Sequence, residues 1–268
     1  MVPTVLCCGD LQGRSRVRGL RNLQPNQRYA VNVVLERSAM TRSGVRAVRA
    51  VVGVAMLLAV GAALRYPGGT PLDPASHGYS LTHNFLSDLG MTVAYNGQAN
   101  LLGAALFAVS LLALVAAFGI TSAGILRQYL AARASRGWAI AAALHCPLAA
   151  VAFAAVAVTP ENRVMAVHVD PTRLAWRLFA GAALLGTVAS IRRDQSLRSR
   201  TAAWCILAGA LMLYVVYLNV GSDVTSSNGL RAQVLAQKGI TVIAVTMLLW
   251  LGAYRPAANE VPVTAVTA

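Results

Sequence analysis

Six apolar stretches, each about long enough to cross a lipid bilayer, constrain the fold more than any motif in this chain. A transmembrane α-helix needs ~20 predominantly apolar residues, and only helices or closed barrels satisfy the backbone within lipid. We therefore expect an all-α polytopic membrane protein with six transmembrane helices in one bundle. The expected spans are Val48–Leu64, Ala99–Ile120, Trp138–Val158, Leu174–Ile191, Ala202–Val220 and Ile240–Tyr254, the last beginning earlier as an amphipathic turn.

Composition supports the same class of protein. The 268 residues are 57% hydrophobic and only 12% charged, whereas soluble domains carry roughly 25% charged residues. The net charge of +14 comes from arginines beside the apolar spans, with almost no lysine or aromatic residues interleaved among them. This arrangement indicates orientation in a membrane, so we expect no nucleic-acid partner.

The arginines and lysines also predict the orientation of the chain. Seventeen of them lie in the two tails and in the second and fourth connections, and six lie in the other three connections. Basic residues are retained on the cytoplasmic side, so both termini are expected there. We expect a multi-pass protein of the cell inner (plasma) membrane.

Three regions follow from these patterns. Residues 1–44 form a basic segment without an apolar signal sequence, expected to be a disordered cytoplasmic tail. An arm on anionic lipid is the alternative, and Met40 is a plausible alternative start that would leave residues 1–39 untranslated. Residues 45–254 form the membrane domain with a long outer loop at 65–98, and residues 255–268 form a short cytoplasmic tail.

The predicted spans are rich in alanine and glycine, as in Gly181-Ala-Ala-Leu-Leu-Gly186. Small residues let membrane helices approach closely, which favours one compact bundle and leaves a homo-oligomer through these helices possible. The chain shows no internal repeat, and this disfavours an inverted-repeat transporter.

The long outer loop contains the most polar segment with a helical pattern. Ser80 is a good N-cap and Gly90 a good C-terminal stop, so Leu81–Leu89 is expected to be a short two-faced helix. At 100° per residue one face of this helix holds Ser80, His83, Asn84, Ser87 and Asp88. His83 with Ser87, and Asn84 with Asp88, have the i,i+4 spacing of side chains that touch.

The second outer loop supplies His168 and two arginines. Asp170-Pro171 is typical of a cap followed by proline at the first helical position, so the fourth span is expected to start there. Arg173 and Arg177 lie one turn apart on that helix and suit a lipid phosphate or carboxylate. Snorkelling to the interface or pairing with an aspartate is the alternative.

Three further polar residues lie at membrane depth. Gln233 and Gln237 precede the sixth span and are expected to face the bundle interior, because exposure to lipid would be costly. His145 lies inside the third span, where a histidine is either a functional group or one bonded within the bundle.

The segment Phe85-Leu-Ser-Asp-Leu-Gly-Met-Thr, between the first two of six spans, resembles the signature of a known family. It looks like that of the prokaryotic membrane family called domain of unknown function 998, over Val48 to about Tyr254. A more distant likeness is to the Frag1/DRAM/Sfk1 group, from which Leu89 departs where threonine is usual. The resemblance implies a six-helix membrane protein without an assigned reaction, and the distant group suggests a lipid ligand.

These features favour a protein that binds or handles a lipid or amphiphile at an outer-leaflet polar pocket. The expected partner is a membrane lipid, with no cofactor and no metal. Three alternatives stay open: a lipid-modifying hydrolase or transferase, a small transporter using His145, Gln233 and Lys238, and a structural or regulatory protein without a chemical site. In the enzyme, His83 or His168 would be the base and Asp88 would orient it. The candidate ligand-binding residues are Ser80, His83, Asn84, Ser87, Asp88, His168, Arg173, Arg177 and Gln233.

Overall fold

The structure, a computed structural model, describes residues 42–130, 136–193, 198–221 and 223–253. It confirms the prediction of an all-α protein with six helices, each long and apolar enough to cross a membrane. Most of the predicted N-terminal tail and all of the C-terminal one lie outside the described residues. The helices are α1 Arg42–Arg65, α2 Leu101–Leu130, α3 Arg136–Val158, α4 Met165–Arg193, α5 Arg198–Val220 and α6 Ser227–Ala253.

The helices pack mainly in chain order. Each contacts the next, and α6 also contacts α2 and α1, which closes the bundle. An even number of crossings returns the chain to the side from which it entered the membrane. The six apolar helices make the chain a multi-pass membrane protein, and their even number puts the start of α1 and the end of α6 on the same side of the bundle.

Small residues allow close packing of α4 with its neighbours. A Cβ on Gly186 would lie 2.7 Å from the ring of Trp204 on α5, and one on Gly181 would lie 3.0 Å from His145 on α3. His145 Nδ1 pairs with the carbonyl oxygen of Ala141, one turn earlier in its own helix, at 2.9 Å. Glycine thus permits close contacts between helices of the same chain, as expected for a compact bundle.

The start of α4 differs from the prediction at Asp170-Pro171. The helix begins at Met165, and Pro171 lies inside it. A turn at Pro160 leads into the helix, because Val164 N donates to Pro160 O at 3.2 Å and His168 N donates to Val164 O at 3.0 Å. Pro171 lies in the second turn of α4 and has no N–H to donate to Val167 O, a loss that membrane helices accommodate through neighbouring groups and local adjustment.

Residues 66–100, called here the outer cap, cover one end of the bundle. Gly68 and Gly69 have φ of 138° and 86°, which favour glycine, and Gly68 forms an isolated antiparallel bridge with His77. A Cβ on Gly69 would lie 2.5 Å from the backbone nitrogen of Asn96. The cap is therefore a close-packed loop whose turns require these glycines.

The predicted helix Leu81–Leu89 is wrong. One turn forms at Ser80, whose carbonyl accepts from Asn84 N at 3.0 Å, and a separate 3₁₀ turn forms at Ser87–Gly90. Two side chains compete with the helical ladder. Asn84 Oδ1 accepts from Ser80 N at 2.9 Å, and Asp88 Oδ2 accepts from Phe85 N at 2.9 Å.

Candidate functional site

Asn84 is the central hydrogen-bonding residue of the outer cap. Its side chain is 0% exposed. Besides accepting from Ser80 N, it donates through Nδ2 to Gly69 O at 3.0 Å and to Asp88 Oδ2 at 3.0 Å. One amide thus joins three parts of the loop, and the predicted contact of Asn84 with Asp88 occurs without a helix.

Asp88 is a fully buried carboxyl whose two oxygens differ. Oδ2 accepts from Phe85 N and Asn84, whereas Oδ1 makes no hydrogen bond with any described residue. Burial raises the pKa of Asp88 to about 7, with a further rise from the charge of Glu161; the two hydrogen bonds and the charge of Lys238 oppose it. The carboxyl therefore titrates near neutral pH.

Two tyrosines lie near this carboxyl, Tyr66 buried and Tyr95 half-buried. Burial, and then the charges of Asp88 and Glu161, raise the pKa of Tyr66 to about 12 and also raise the pKa of Tyr95. The Tyr95 hydroxyl is close to the Asp88 carboxyl, although no hydrogen bond of standard geometry joins them. The causes are the same for both tyrosines: removal from water and the negative charge of the nearby carboxylates.

Polar side chains near the outer end of α6 hold the cap in place. Gln237 Oε1 accepts from Leu86 N at 2.7 Å. Lys238 Nζ donates to Leu81 O at 2.7 Å and to Asn84 O at 2.6 Å, and it lies 4.8 Å from the ring centroid of Tyr79. His83 Nε2 pairs with Ser227 Oγ at 3.2 Å. We call these contacts the α6 latch.

The connection between α3 and α4 joins the other side of the cap. Asn162 Oδ1 accepts from Thr92 N at 2.9 Å, and Arg163 Nε donates to Thr92 Oγ1 at 3.1 Å. His168, only 4% exposed, pairs through Nδ1 with Thr159 O at 2.6 Å. Its Nε2 lies 3.8 Å from Glu161 Oε2, and neither atom has a hydrogen-bond partner within the described ranges.

An apolar cavity of about 190 Å³ lies beneath the cap, inside the bundle. Its walls come from α1, α2, α3, α4 and α6, and its outer end is formed by Leu86, Ser87, Thr172 and Gln237. Among the residues that the structure describes, no charged side chain lines it. The wall residues include Val52, Phe107, Ser110, Phe118, Phe153, Trp176, Phe179, Thr241, Ala244 and Leu248.

His168 extends one wall of the cavity outward. Thr172, Trp176 and Phe179 line the cavity at helical spacings of three and four residues. His168 is one turn outward from Thr172 on the same face of α4, and the Thr172 hydroxyl donates to His168 O at 2.8 Å. The buried imidazole and Glu161 therefore lie beyond the outer end of the apolar cavity.

The remaining candidate residues are placed in different surroundings. Arg173 and Arg177 are exposed, and Arg177 donates to Asn219 Oδ1 on α5 at 3.0 Å. Gln233 is half-buried. Ser80 Oγ accepts from His83 N at 3.2 Å. Neither arginine thus lines the cavity, and neither is buried with Asn84 and Asp88.

The acid–base pair expected of an enzyme is not formed. Where the chain is described, neither His83 nor His168 has a hydrogen bond or ion pair with Asp88. In the same residues no group of three or more histidine, cysteine, aspartate or glutamate side chains is placed to hold a metal ion.

The ligand-binding residues predicted from the sequence omit several that the structure brings to the site. Thr172 and Gln237 line the cavity end, Lys238 donates to the cap, and Glu161 lies beside His168. Asn100 Nδ2 donates to Leu89 O and Met91 O at 3.2 and 2.9 Å. One signal was available for Glu161. The chain has only nine acidic residues, and this one lies beside a span on the expected outer side.

Comparison with known proteins returned no match to a family model, to a curated protein or to a solved structure. The resemblance of residues 85–92 to domain of unknown function 998 stays a prediction.

Proposed function

We propose that this protein binds a membrane amphiphile, with the hydrocarbon chain in the central cavity and the polar end beneath the outer cap. The observation that carries the proposal is the cavity itself: an uncharged apolar space inside the bundle that ends at Ser87, Thr172 and Gln237. An amphiphile has the same division between an apolar body and a polar end.

The size of the cavity fits a single chain. A volume of about 190 Å³ corresponds to roughly 13–19 water-sized groups, since one such group needs ~10–15 Å³ on this measure. Each methylene transferred from water into an apolar space contributes ~0.8 kcal/mol. Transfer from lipid gains much less, so the polar end has to provide the selectivity.

The location in the membrane follows from the basic residues. With seventeen of the twenty-three basic residues on the side of the tails, that side is cytoplasmic and the cap lies at the outer face. We accordingly propose a protein of the inner (plasma) membrane whose site opens toward the outer leaflet. Binding is favoured over hydrolysis because neither histidine contacts Asp88.

Filling the cavity tests the proposal. Ala244 is 4% exposed and lines the cavity, so Ala244→Leu occupies part of the chain space. Protein purified in mild detergent should retain a defined lipid, measured by mass spectrometry, and Ala244→Leu should retain at least about fivefold less of it. Ala105→Leu is the matched control, because Ala105 is exposed on α2 and outside the cavity.

Thermal unfolding of both variants separates loss of lipid from loss of fold. The proposal fails if folded Ala244→Leu protein and the wild type retain the same lipids in the same amounts.

A further inference from the structure

Two buried atoms, His168 Nε2 and Glu161 Oε2, have no hydrogen-bond partner among the described residues. A carbonyl oxygen has no proton, so the 2.6 Å contact with Thr159 O requires that His168 Nδ1 carries the hydrogen. In the neutral ring, Nε2 is then an acceptor. It faces another acceptor, Glu161 Oε2, at 3.8 Å, and neither has a partner among the described residues.

When the imidazole is neutral, two buried acceptors face each other, and a donor between them would satisfy both. Leaving a buried acceptor unsatisfied costs ~1–3 kcal/mol, more for a charged group. The separation of 3.8 Å is too long for a direct hydrogen bond. A donor group that reaches both atoms would remove this cost.

The charges around the pair favour a donor or a cation over an anion. Asp88 is a second buried carboxyl, and the charge of Glu161 contributes to raising its pKa. The nearby basic groups are engaged elsewhere: Arg163 donates to Thr92, and Lys238 donates to Leu81 O and Asn84 O. Arg173 and Arg177 are exposed on α4, away from the face that lines the cavity.

We propose that His168 Nε2 and Glu161 Oε2 form the headgroup subsite of the cavity and receive a hydrogen-bond-donating head, a primary ammonium or a hydroxyl. This inference rests on the proposed function, because it places the chain of the same amphiphile in the cavity one turn below, past Thr172. A carboxylate head has no proton to donate at neutral pH, and a phosphate head is then mostly doubly ionised. The carboxylate of Glu161 repels the negative charge of both.

The two head groups that fit this subsite, ammonium and hydroxyl, should differ in affinity. A primary ammonium has three donors, so it satisfies both acceptors and compensates the carboxylate. A hydroxyl donates a single hydrogen and satisfies one acceptor. The expected order of affinity is therefore ammonium, then hydroxyl, then carboxylate and phosphate.

The experiment compares four probes that share one chain. Chain-brominated dodecyl amine, alcohol, carboxylate and phosphate are titrated into the protein in mild detergent at pH 7. Trp176 lines the cavity, so its quenching by bromine reports occupancy, and Trp176→Phe identifies that component of the signal. The amine is expected to bind at least tenfold more tightly than the carboxylate and the phosphate.

Substitution of the subsite sharpens the result. Glu161→Gln should lower amine affinity at least tenfold and change alcohol affinity less than about threefold. Asp170→Asn is the matched control, because it removes an exposed carboxylate from α4 and should leave all four affinities unchanged. His168→Gln is the second variant if Glu161→Gln unfolds early, and it should reduce the amine preference as well.

The outcomes separate the two proposals. Equal binding of all four probes, lost in Ala244→Leu, would keep the cavity and overturn the headgroup subsite. Tightest binding of the carboxylate or the phosphate would also overturn it. If none of the four probes quenches Trp176 saturably, the binding cavity fails and the subsite fails with it.

Discussion

The bundle and the outer cap are held together by different interactions. In the bundle, small residues and rings meet, as where Gly186 packs against Trp204, and the ring of Trp176 lies 5.1 Å from that of Tyr214. In the cap, buried polar groups meet, and Asn84 and Asp88 are both 0% exposed. The bundle depends on shape, whereas the cap depends on matching each donor with an acceptor.

This difference indicates which of the two regions is more sensitive to substitution. Lipid is as apolar as the helices, so exposed residues such as Leu213 contribute little to folding and many can change. A buried hydrogen-bond network loses more when one member is removed, since its partners are left unsatisfied. Single substitutions should therefore have larger effects in the cap than in the bundle.

The largest effect is expected from Asn84→Ala. The change removes three side-chain hydrogen bonds and leaves Ser80 N and Gly69 O without these partners. We expect a loss of about 3–5 kcal/mol, which lowers the thermal midpoint in detergent by on the order of 10 °C. Asn228→Ala, at an exposed position of α6, is the control and should melt like the wild type. Equal midpoints for the two variants would contradict the view of the cap as a network.

Asp88→Asn tests the electrostatics of the same network. The ordinary pKa of an aspartate carboxyl is 3.8, and burial in the folded protein raises the pKa of Asp88 to about 7. From pH 4 to 7 the folded protein holds a proton that the unfolded chain releases, so this group makes stability fall as pH rises through that window. A shift of about three pKa units sets an upper bound of about 4 kcal/mol.

The asparagine variant lacks this dependence. Its midpoint relative to the wild type should therefore rise between pH 4 and 7 and level off above pH 7. Asp73→Asn, which changes an exposed carboxyl of the cap, should track the wild type. Parallel curves for Asp88→Asn and the wild type would rule out the raised pKa.

A moderate effect is expected where the bundle is packed most closely. The Cβ of Gly186→Val would meet the Trp204 ring, which is 7% exposed and has little room to move. Overpacking of this kind costs about 1–3 kcal/mol. Gly209→Val on α5 is the matched control, since nothing lies within 4 Å of its Cβ position. The close-packing argument is wrong if the two valine variants have the same thermal midpoint.

The same contrast explains what the sequence could predict. Six helices follow from apolar length, which needs no knowledge of neighbours, and the observed spans include Leu101–Ile125 and Ser227–Leu251. Gln233 and Gln237 predict the early start of α6, because polar residues that face the bundle interior can extend a helix beyond its apolar span. For the six spans and the start of α6, the local sequence was sufficient to predict the structure.

Tertiary contacts decided the rest. Leu86 N bonds to Gln237, 151 positions away, and Thr92 bonds to Asn162, 70 positions away. Such pairs leave no periodicity in the sequence. The helix expected at Leu81–Leu89 does not form because the side chains of Asn84 and Asp88 compete for its backbone N–H groups. The cavity had no signal either, because its wall residues are those of any apolar helix.

The smallest effect is expected from Ser110→Ala, which removes one polar interaction inside the bundle. Ser110 Oγ donates to Ala55 O on α1 at 2.7 Å, and the residue is 2% exposed. The carbonyl of Ala55 lies within α1, so it retains its helical partner and nothing is orphaned. Hydrogen bonds between membrane helices average ~0.6 kcal/mol, so the midpoint should fall by only about 1–2 °C. A fall comparable with that of Asn84→Ala would mean that polar contacts also dominate the bundle, and the division between the two regions would fail. A small fall would show that a buried hydrogen bond is costly to remove only where its loss strands a partner.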